Sequence, residues 1–138
     1  MIFRGSFGKT IDILKRSMDV AVLRRNVIAN NVANAETPNF KRTVVNFESA
    51  LKRALDSEKV VPPRQFISDP RHIPFHRTVD YRTVQPRRVL DYLTTAKNNG
   101  NNVDMEEEMM LAMENQLLYQ TMTAVVTSEF NRVNLVLK

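Results

Sequence analysis

The chain has 138 residues, 43% of them hydrophobic and 25% charged, with a formal net charge of +5 and neither cysteine nor tryptophan. That length allows one modest domain or an elongated body with a small globular part. The missing thiols exclude a disulfide framework, a cysteine nucleophile and a cysteine-based metal site. Charge is also divided along the chain: up to Val103, 18 Lys/Arg stand against 9 Asp/Glu, whereas from Asp104 onward only Arg132 and Lys138 oppose Asp104, Glu106, Glu107, Glu108, Glu114 and Glu129. Such a division favours pairing of the two ends, or head-to-tail stacking of copies, over uniform coating of a polyanion.

The first stretch, MIFRGSFGKTIDILKRSMDVAV, has no apolar run of secretory length and no A-x-A-like cleavage site, and no segment approaches the roughly 18 apolar residues of a membrane span. Passage out of the cytoplasm would then use a route that reads no cleavable signal. From about Ser6 to Asn34 the pattern is one long helix. Phe7, Ile11, Leu14, Met18, Ala21, Ile28 and Val32 recur at four-three spacing, interrupted at Arg25 and free of proline. Gly5 and Gly8 are expected to fray or bend its start.

The sequence NNVANAETPNFKR (Asn30–Arg42) ends this helix with amides instead of glycine. Asn30, Asn31 and Asn34 fall within about one turn, so their side chains can satisfy carbonyls freed at the helix end or reach an adjacent helix. Thr37 and Pro38 turn the chain, because a residue before proline avoids the helical region. Phe40 is expected to anchor the exit, with Lys41 and Arg42 solvated.

Next, NFESALKRALD (Asn46–Asp56) predicts a short amphipathic helix on Phe47, Leu51, Ala54 and Leu55. Five of the six prolines then fall at Pro62, Pro63, Pro70, Pro74 and Pro86, a spacing that forbids a helix. RTVDYRTV within it reads as extended, with Val79 and Tyr81 alternating against polar residues, and RVLDYLTTAKNN reads as another short helix. NNGNNVD marks a turn-rich stop. Beyond it Asp104 is placed to N-cap a final helix, with Glu107 completing a capping box and Glu106 and Glu108 favoured by the positive helix end. Met105, Met109, Ala112, Gln116, Tyr119, Thr123, Val126, Phe130, Val133 and Leu137 carry the four-three rhythm to the chain end. At 1.5 Å per residue the two terminal helices would span roughly 40 and 50 Å.

The fold expected is mainly α: long N- and C-terminal helices pairing as a coiled-coil-like hairpin, around a small Pro-rich irregular or β-containing middle segment. The boundaries are residues 1–35, 36–103 and 104–138. Each terminal stripe needs a partner surface that one isolated helix lacks. Ile11, Leu14, Met18, Ile28, Met109, Tyr119, Val126, Phe130 and Val133 are the expected helix-packing residues. Leu117, Leu118, Met122 and Val125 are left for neighbouring chains.

NVANAETPNFKR resembles the signature of bacterial flagellar rod and hook proteins: an Asn-aliphatic-Ala-Asn core, then Thr, a turn, an aromatic and a basic residue, shortly after an N-terminal helix. Asn31, Val32, Ala33, Asn34, Thr37, Pro38, Phe40 and Lys41 fill that pattern. The C-terminal NNVDMEEEMMLAMENQLLYQTM is similar to the small, hook-less members at the membrane-proximal end of the rod. Where many relatives have Gly after Thr-Pro this chain has Asn39, which tolerates a left-handed backbone. The resemblance implies a structural subunit of the flagellar basal body, exported by the flagellar type III apparatus and polymerising into a shaft in the periplasm. It implies as partners copies of itself, other rod proteins of the FlgC kind, the rod adaptor FliE and the membrane-ring protein, and a subunit interface at the motif residues.

Other chemistry finds little support. His72 and His76 are four apart, but Pro74 between them breaks the helix that would align them on zinc. First-turn carboxylates at Glu106, Glu107 and Glu108 are what a helix N-terminus favours without any cation. Three glycines cannot build a phosphate-binding loop, and no nucleophile elbow or triad is present. The basic residues are scattered without interleaved aromatics, which argues against nucleic acid despite a pI near 9.8. No enzyme activity, cofactor, metal or small-molecule substrate is expected.

Overall fold

The computed structural model describes residues 6–61, 66, 68–69, 71–73, 77–94 and 97–137. Its elements in chain order are helix α1 (Ser6–Ala33), strand β1 (Thr43–Asn46), helix α2 (Glu48–Lys59), a 3-10 turn at Tyr81–Thr83, strand β2 (Arg87–Leu90) and helix α3 (Met105–Leu137). Both terminal helices begin and end within a residue or two of the limits their periodicity predicts.

One unit comprises residues 1–45 and 88–138 and is built on α1 against α3. Phe7 meets Phe130 edge to face at 6.2 Å, Asn115 Nδ2 donates to Ala21 O, and Asn31 Nδ2 donates to Glu108 Oε1. Residue numbers run in opposite directions across these contacts, so the helices are antiparallel and form the hairpin expected. On α1 two residues of the expected stripe, Ala21 and Ile28, are buried together with their neighbours Val20, Val27 and Asn31, while Phe7, Ile11, Leu14, Met18 and Val32 are half-buried. Gly8 is buried within the helix, while the expected effect of Gly5 lies outside the described residues.

On α3 the row differs. Glu108, Asn115 and Met122 are buried, whereas Met109 is 63% exposed and Tyr119 and Phe130 stand in the exposed class. Hydrophobicity-based reading places polar residues outward, and here two polar side chains lie in the seam. Leu117, Leu118 and Val125 remain exposed as expected, but Met122 turns inward.

Strands β1 and β2 form a two-stranded sheet. Asp91 N–H donates to Arg42 O just past β2 and just before β1, so the strands run antiparallel. The short helix predicted for RVLDYLTTAKNN is replaced by β2 and a turn. Asp91 Oδ1 accepts from the N–H groups of Leu93 and Thr94, and its Oδ2 accepts from the Thr94 hydroxyl at 2.7 Å. Asp competes with helical bonding in this way.

The second unit, Asn46–Arg87, carries α2 with Phe47, Leu51 and Ala54 buried, and Tyr81 buried at the 3-10 turn. The extended run predicted across RTVDYRTV folds instead into that turn, because Asp80 Oδ1 accepts from Arg82 N–H and Asp80 O from Thr83 N–H. Pro62, Pro63, Pro70, Pro74, Arg64 and His76 lie outside the described residues.

Candidate functional site

The NVANAETPNFKR stretch forms the end of α1 and a compact turn, and its amides are used inside the chain. Asn31, 1% exposed, is a three-way clamp. Its Nδ2 donates to Thr43 O at 2.9 Å and Glu108 Oε1 at 3.2 Å, while Thr43 N–H donates to its Oδ1 at 3.0 Å. One side chain thus closes both backbone groups of the residue that opens β1 and reaches the first turn of α3. Asn34 acts locally: its Nδ2 donates to Asn30 O at 2.8 Å, and its Oδ1 accepts from the Thr37 hydroxyl at 3.4 Å. Asn39, which stands where many relatives have Gly, adopts a left-handed φ of 59°, a conformation asparagine tolerates.

A second amide group, in NNGNNVD, locks this turn from the other side. Asn101 is fully buried, with Nδ2 within 3.0 Å of the carbonyls of Asn34, Ala35 and Thr37, and Oδ1 accepting from Val103 N–H at 2.7 Å. Asn102 accepts from Arg42 N–H and donates to Asp91 O and Thr94 Oγ1. Lys97 Nζ donates to Ala35 O and pairs with Glu36, Lys41 Nζ donates to Gly100 O, and Asn39 N–H donates to Asn99 O. Sequence reasoning reads NNGNNVD as a helix stop. What it misses is that Asn101 serves the carbonyls of the turn just past α1, at Asn34, Ala35 and Thr37, and that Asn102 ties Arg42 to Asp91 and Thr94; the signal for this was the number of asparagines.

At the base of the turn lies an ionic cluster. Arg42, expected to be solvated, has a side chain only 14% exposed. Its Nη1 is 2.7 Å from Glu107 Oε1 and its Nε 2.8 Å from Glu108 Oε1. The Nε–H does not point along the latter vector, so that contact is one of charge and not an aligned hydrogen bond. Glu107, expected to complete a capping box, is engaged by Arg42, while Asp104 caps α3 as predicted by accepting from Glu106 N–H at 2.9 Å. Glu108 is 1% exposed and its Oε2 has no hydrogen-bond partner among the described residues. Burial pushes its carboxyl above the ordinary glutamate range; the Asn31 hydrogen bond and the Arg42 charge pull it down, and the neighbouring Glu107 charge pushes it up.

Among the remaining motif residues, Val32, Asn34, Phe40 and Lys41 are partly exposed, and Ala33, Thr37 and Pro38 are exposed. Of the expected helix-packing set, Ile11, Met18, Tyr119 and Val126 share one groove between α1 and α3, and Ile28 and Tyr119 share a second. Leu14 and Val133 are half-buried on their helices, Phe130 meets Phe7, and Met109 projects away from α1. Among the described residues no group of three or more His, Asp or Glu is placed to hold a metal ion, and no helix is long and apolar enough to cross a membrane.

Residues 23–41, the end of α1 and the motif turn, match the family described as "Flagella basal body rod protein". Over nearly its whole length the chain is similar to proteins named flagellar basal body rod protein FlgB. With that of Borreliella burgdorferi it is 40% identical over 132 residues, covering 96% of this chain and 98% of the relative. With that of Borrelia hermsii it is 39% identical over the same shares. With that of Bacillus subtilis it is 31% identical over 131 residues, covering 95% of each.

Proposed function

This chain belongs to the flagellar basal-body rod protein family as a structural rod subunit, and from that premise we propose that it occupies the proximal rod and polymerises through its terminal helices into the drive shaft joined to the membrane ring. The observation that carries the proposal is the outer face of α3. Met109, Met110, Met113 and Leu117 are 58–69% exposed on one side of a helix whose other side is already paired with α1. An apolar face of that length on an isolated subunit marks an interaction surface. Residues 1–35 and 104–138 would form the inner coiled-coil layer, and residues 36–103 would pack against adjacent subunits.

In this reading the role is mechanical, without catalysis. The latched turn holds α1 and α3 in one register, so torque passes between subunits through a stiff helix pair. Because Asn31 is committed within the chain, the exposed motif positions Ala33, Thr37 and Pro38 are those left to meet neighbours. The partners would be other copies, FlgC-like rod proteins, the adaptor FliE and the membrane-ring protein, after export by the flagellar apparatus. Mass spectrometry of purified basal bodies, stripped of filament and hook, should find the chain in the ring-bound fraction; its absence from well-populated basal bodies would refute the reading.

A further inference from the structure

The two-stranded sheet has one edge closed and one open. Asp91 N–H donates to Arg42 O, so by the alternation of an antiparallel ladder Val44 pairs with Val89, and the backbone groups of Thr43 and Val45 on β1, and of Arg88 and Leu90 on β2, point away from the other strand. On β1 that outer edge is taken. The Asn31 amide serves Thr43 N–H and C=O as a neighbouring strand would, and Arg24 Nη2 lies 3.5 Å from Val45 O. On β2 it is free: all four residues are exposed, and the outward N–H and C=O groups of Arg88 and Leu90 have no partner among the described residues. Two strands alone are marginal in water, and a free edge is a template for a further strand.

The side chains along this edge specify the strand it takes. Arg88 makes no ion pair among the described residues, and Val89 and Leu90 are exposed beside it. Just past β2 the Asp91 carboxylate accepts from Leu93 N–H, Thr94 N–H and the Thr94 hydroxyl, and the turn so held leaves Tyr92 69% and Leu93 98% exposed. Apolar side chains on a turn that is already ordered cost less to engage on binding. A second copy of the chain does not supply the strand. Its β2 would set four arginines side by side with no carboxylate in either strand, and its β1 has the outer edge occupied by Asn31. Arginines on the edge thus discourage a like strand and favour an acidic one.

We propose that the open edge of β2 receives an extended segment of a different basal-body protein, with a carboxylate side chain against Arg88 and apolar side chains toward Leu90 and Leu93. Backbone bonds to Arg88 and Leu90 hold that segment, and the Arg88 ion pair selects it. The sheet becomes three-stranded, with Asn31 as the fixed stop on its far side. The contact is separate from any packing of the terminal helices and rests on the reading of the chain as a rod subunit.

The test compares hydrogen exchange at single amides in the purified chain and in purified basal bodies. The Arg88 and Leu90 amides, quick in the free chain, should slow by about tenfold or more in basal bodies. Arg88→Lys places an amine at the edge, and a carbodiimide should join it there to an Asp or Glu of a different protein. Leu90→Pro removes an outward N–H that β1 does not use, so the purified variant should keep its helical circular dichroism while its Arg88 amide exchanges quickly even in basal bodies. Arg88→Glu leaves the backbone intact and should abolish the protection at Leu90. Equal exchange in the free chain and in basal bodies overturns the strand addition while the rod reading stands. Coupling of Arg88→Lys only to a second copy, or to nothing, or protection retained in Arg88→Glu, overturns the acidic partner. Absence of the unmodified chain from basal bodies removes the rod reading itself, and this proposal with it.

Discussion

Replacing Asn31 by leucine keeps a similarly branched side chain and removes every bond of the clamp. Thr43 N–H and C=O lose their partners at 3.0 and 2.9 Å, and Glu108 Oε1 loses its donor at 3.2 Å. Each neutral bond contributes roughly 0.5–1.5 kcal/mol net and a bond to a charged group roughly 1.5–3. Burial of the leucine in place of an amide offsets about 1 kcal/mol of that sum. The expected net loss is about 3 kcal/mol, a large part of the roughly 5–15 kcal/mol that holds a domain. In urea, with a slope of about 1–3 kcal/mol per molar, the midpoint should fall by about 1–3 M. Hydrogen exchange at the Thr43 amide should quicken more than at Val27, which lies within α1. The control is Asn30→Leu one position earlier, where the side chain is exposed, and it should stay within about 0.5 kcal/mol. An Asn31→Leu midpoint equal to that of the unmodified chain would show that the motif amide does not bear on the fold of the subunit.

The remaining predictions concern the two other parts of the latch. Since burial raises the Glu108 pKa, the folded chain holds that proton more tightly than the unfolded one. The stability it contributes is fully present below the ordinary glutamate value of 4.5 and is lost as pH rises through the raised folded value. Urea midpoints taken from pH 4.5 upward should show this decline in the unmodified chain and a flatter profile in Glu108→Gln; identical profiles would remove Glu108 as its source. The lowered Asp91, held down chiefly by its Thr94 hydrogen bond, acts with opposite sign and only at more acid pH. At Gly100, φ is +78° and an added Cβ would lie 2.6 Å from Asn39 Oδ1. Gly100→Ala should therefore cost about 1–3 kcal/mol from the strained backbone, read as a lower thermal midpoint.

The terminal helices were legible because periodicity is a local property, and the left-handed Asn39 fits the resemblance, since it stands where many relatives have Gly and Asn tolerates that backbone. The middle was less so. Asp80 and Asp91 each fold a nominally extended or helical run into a turn through their own carboxylates, and which backbone N–H an Asp will take depends on where the chain is already held. The polar latch was half legible: the number of asparagines around Asn31 signalled a purpose, but their partners, Thr43, Glu108 and the carbonyls served by Asn101, are 12 to 77 residues away in sequence.

The seam of α3 shows why hydrophobicity alone misplaced its inner face. Apolar residues occur almost all round this helix, more than one neighbouring helix can cover. A reading that assigns the richest stripe to the hairpin selects Met109, which is exposed, as well as Phe130, which does meet Phe7, whereas the residues the fold buries are Glu108, Asn115 and Met122. The two choices answer different demands. Within the subunit, α3 is held by directed bonds from Asn31 and to Ala21 O, which specify register against α1 at a cost in burial. The apolar surplus at Met109, Met113 and Leu117 is not needed for that and stays outside, where only assembly can bury it. In a subunit that polymerises as proposed, this division is physically sensible: polar contacts fix the hairpin without consuming the apolar face that assembly would use.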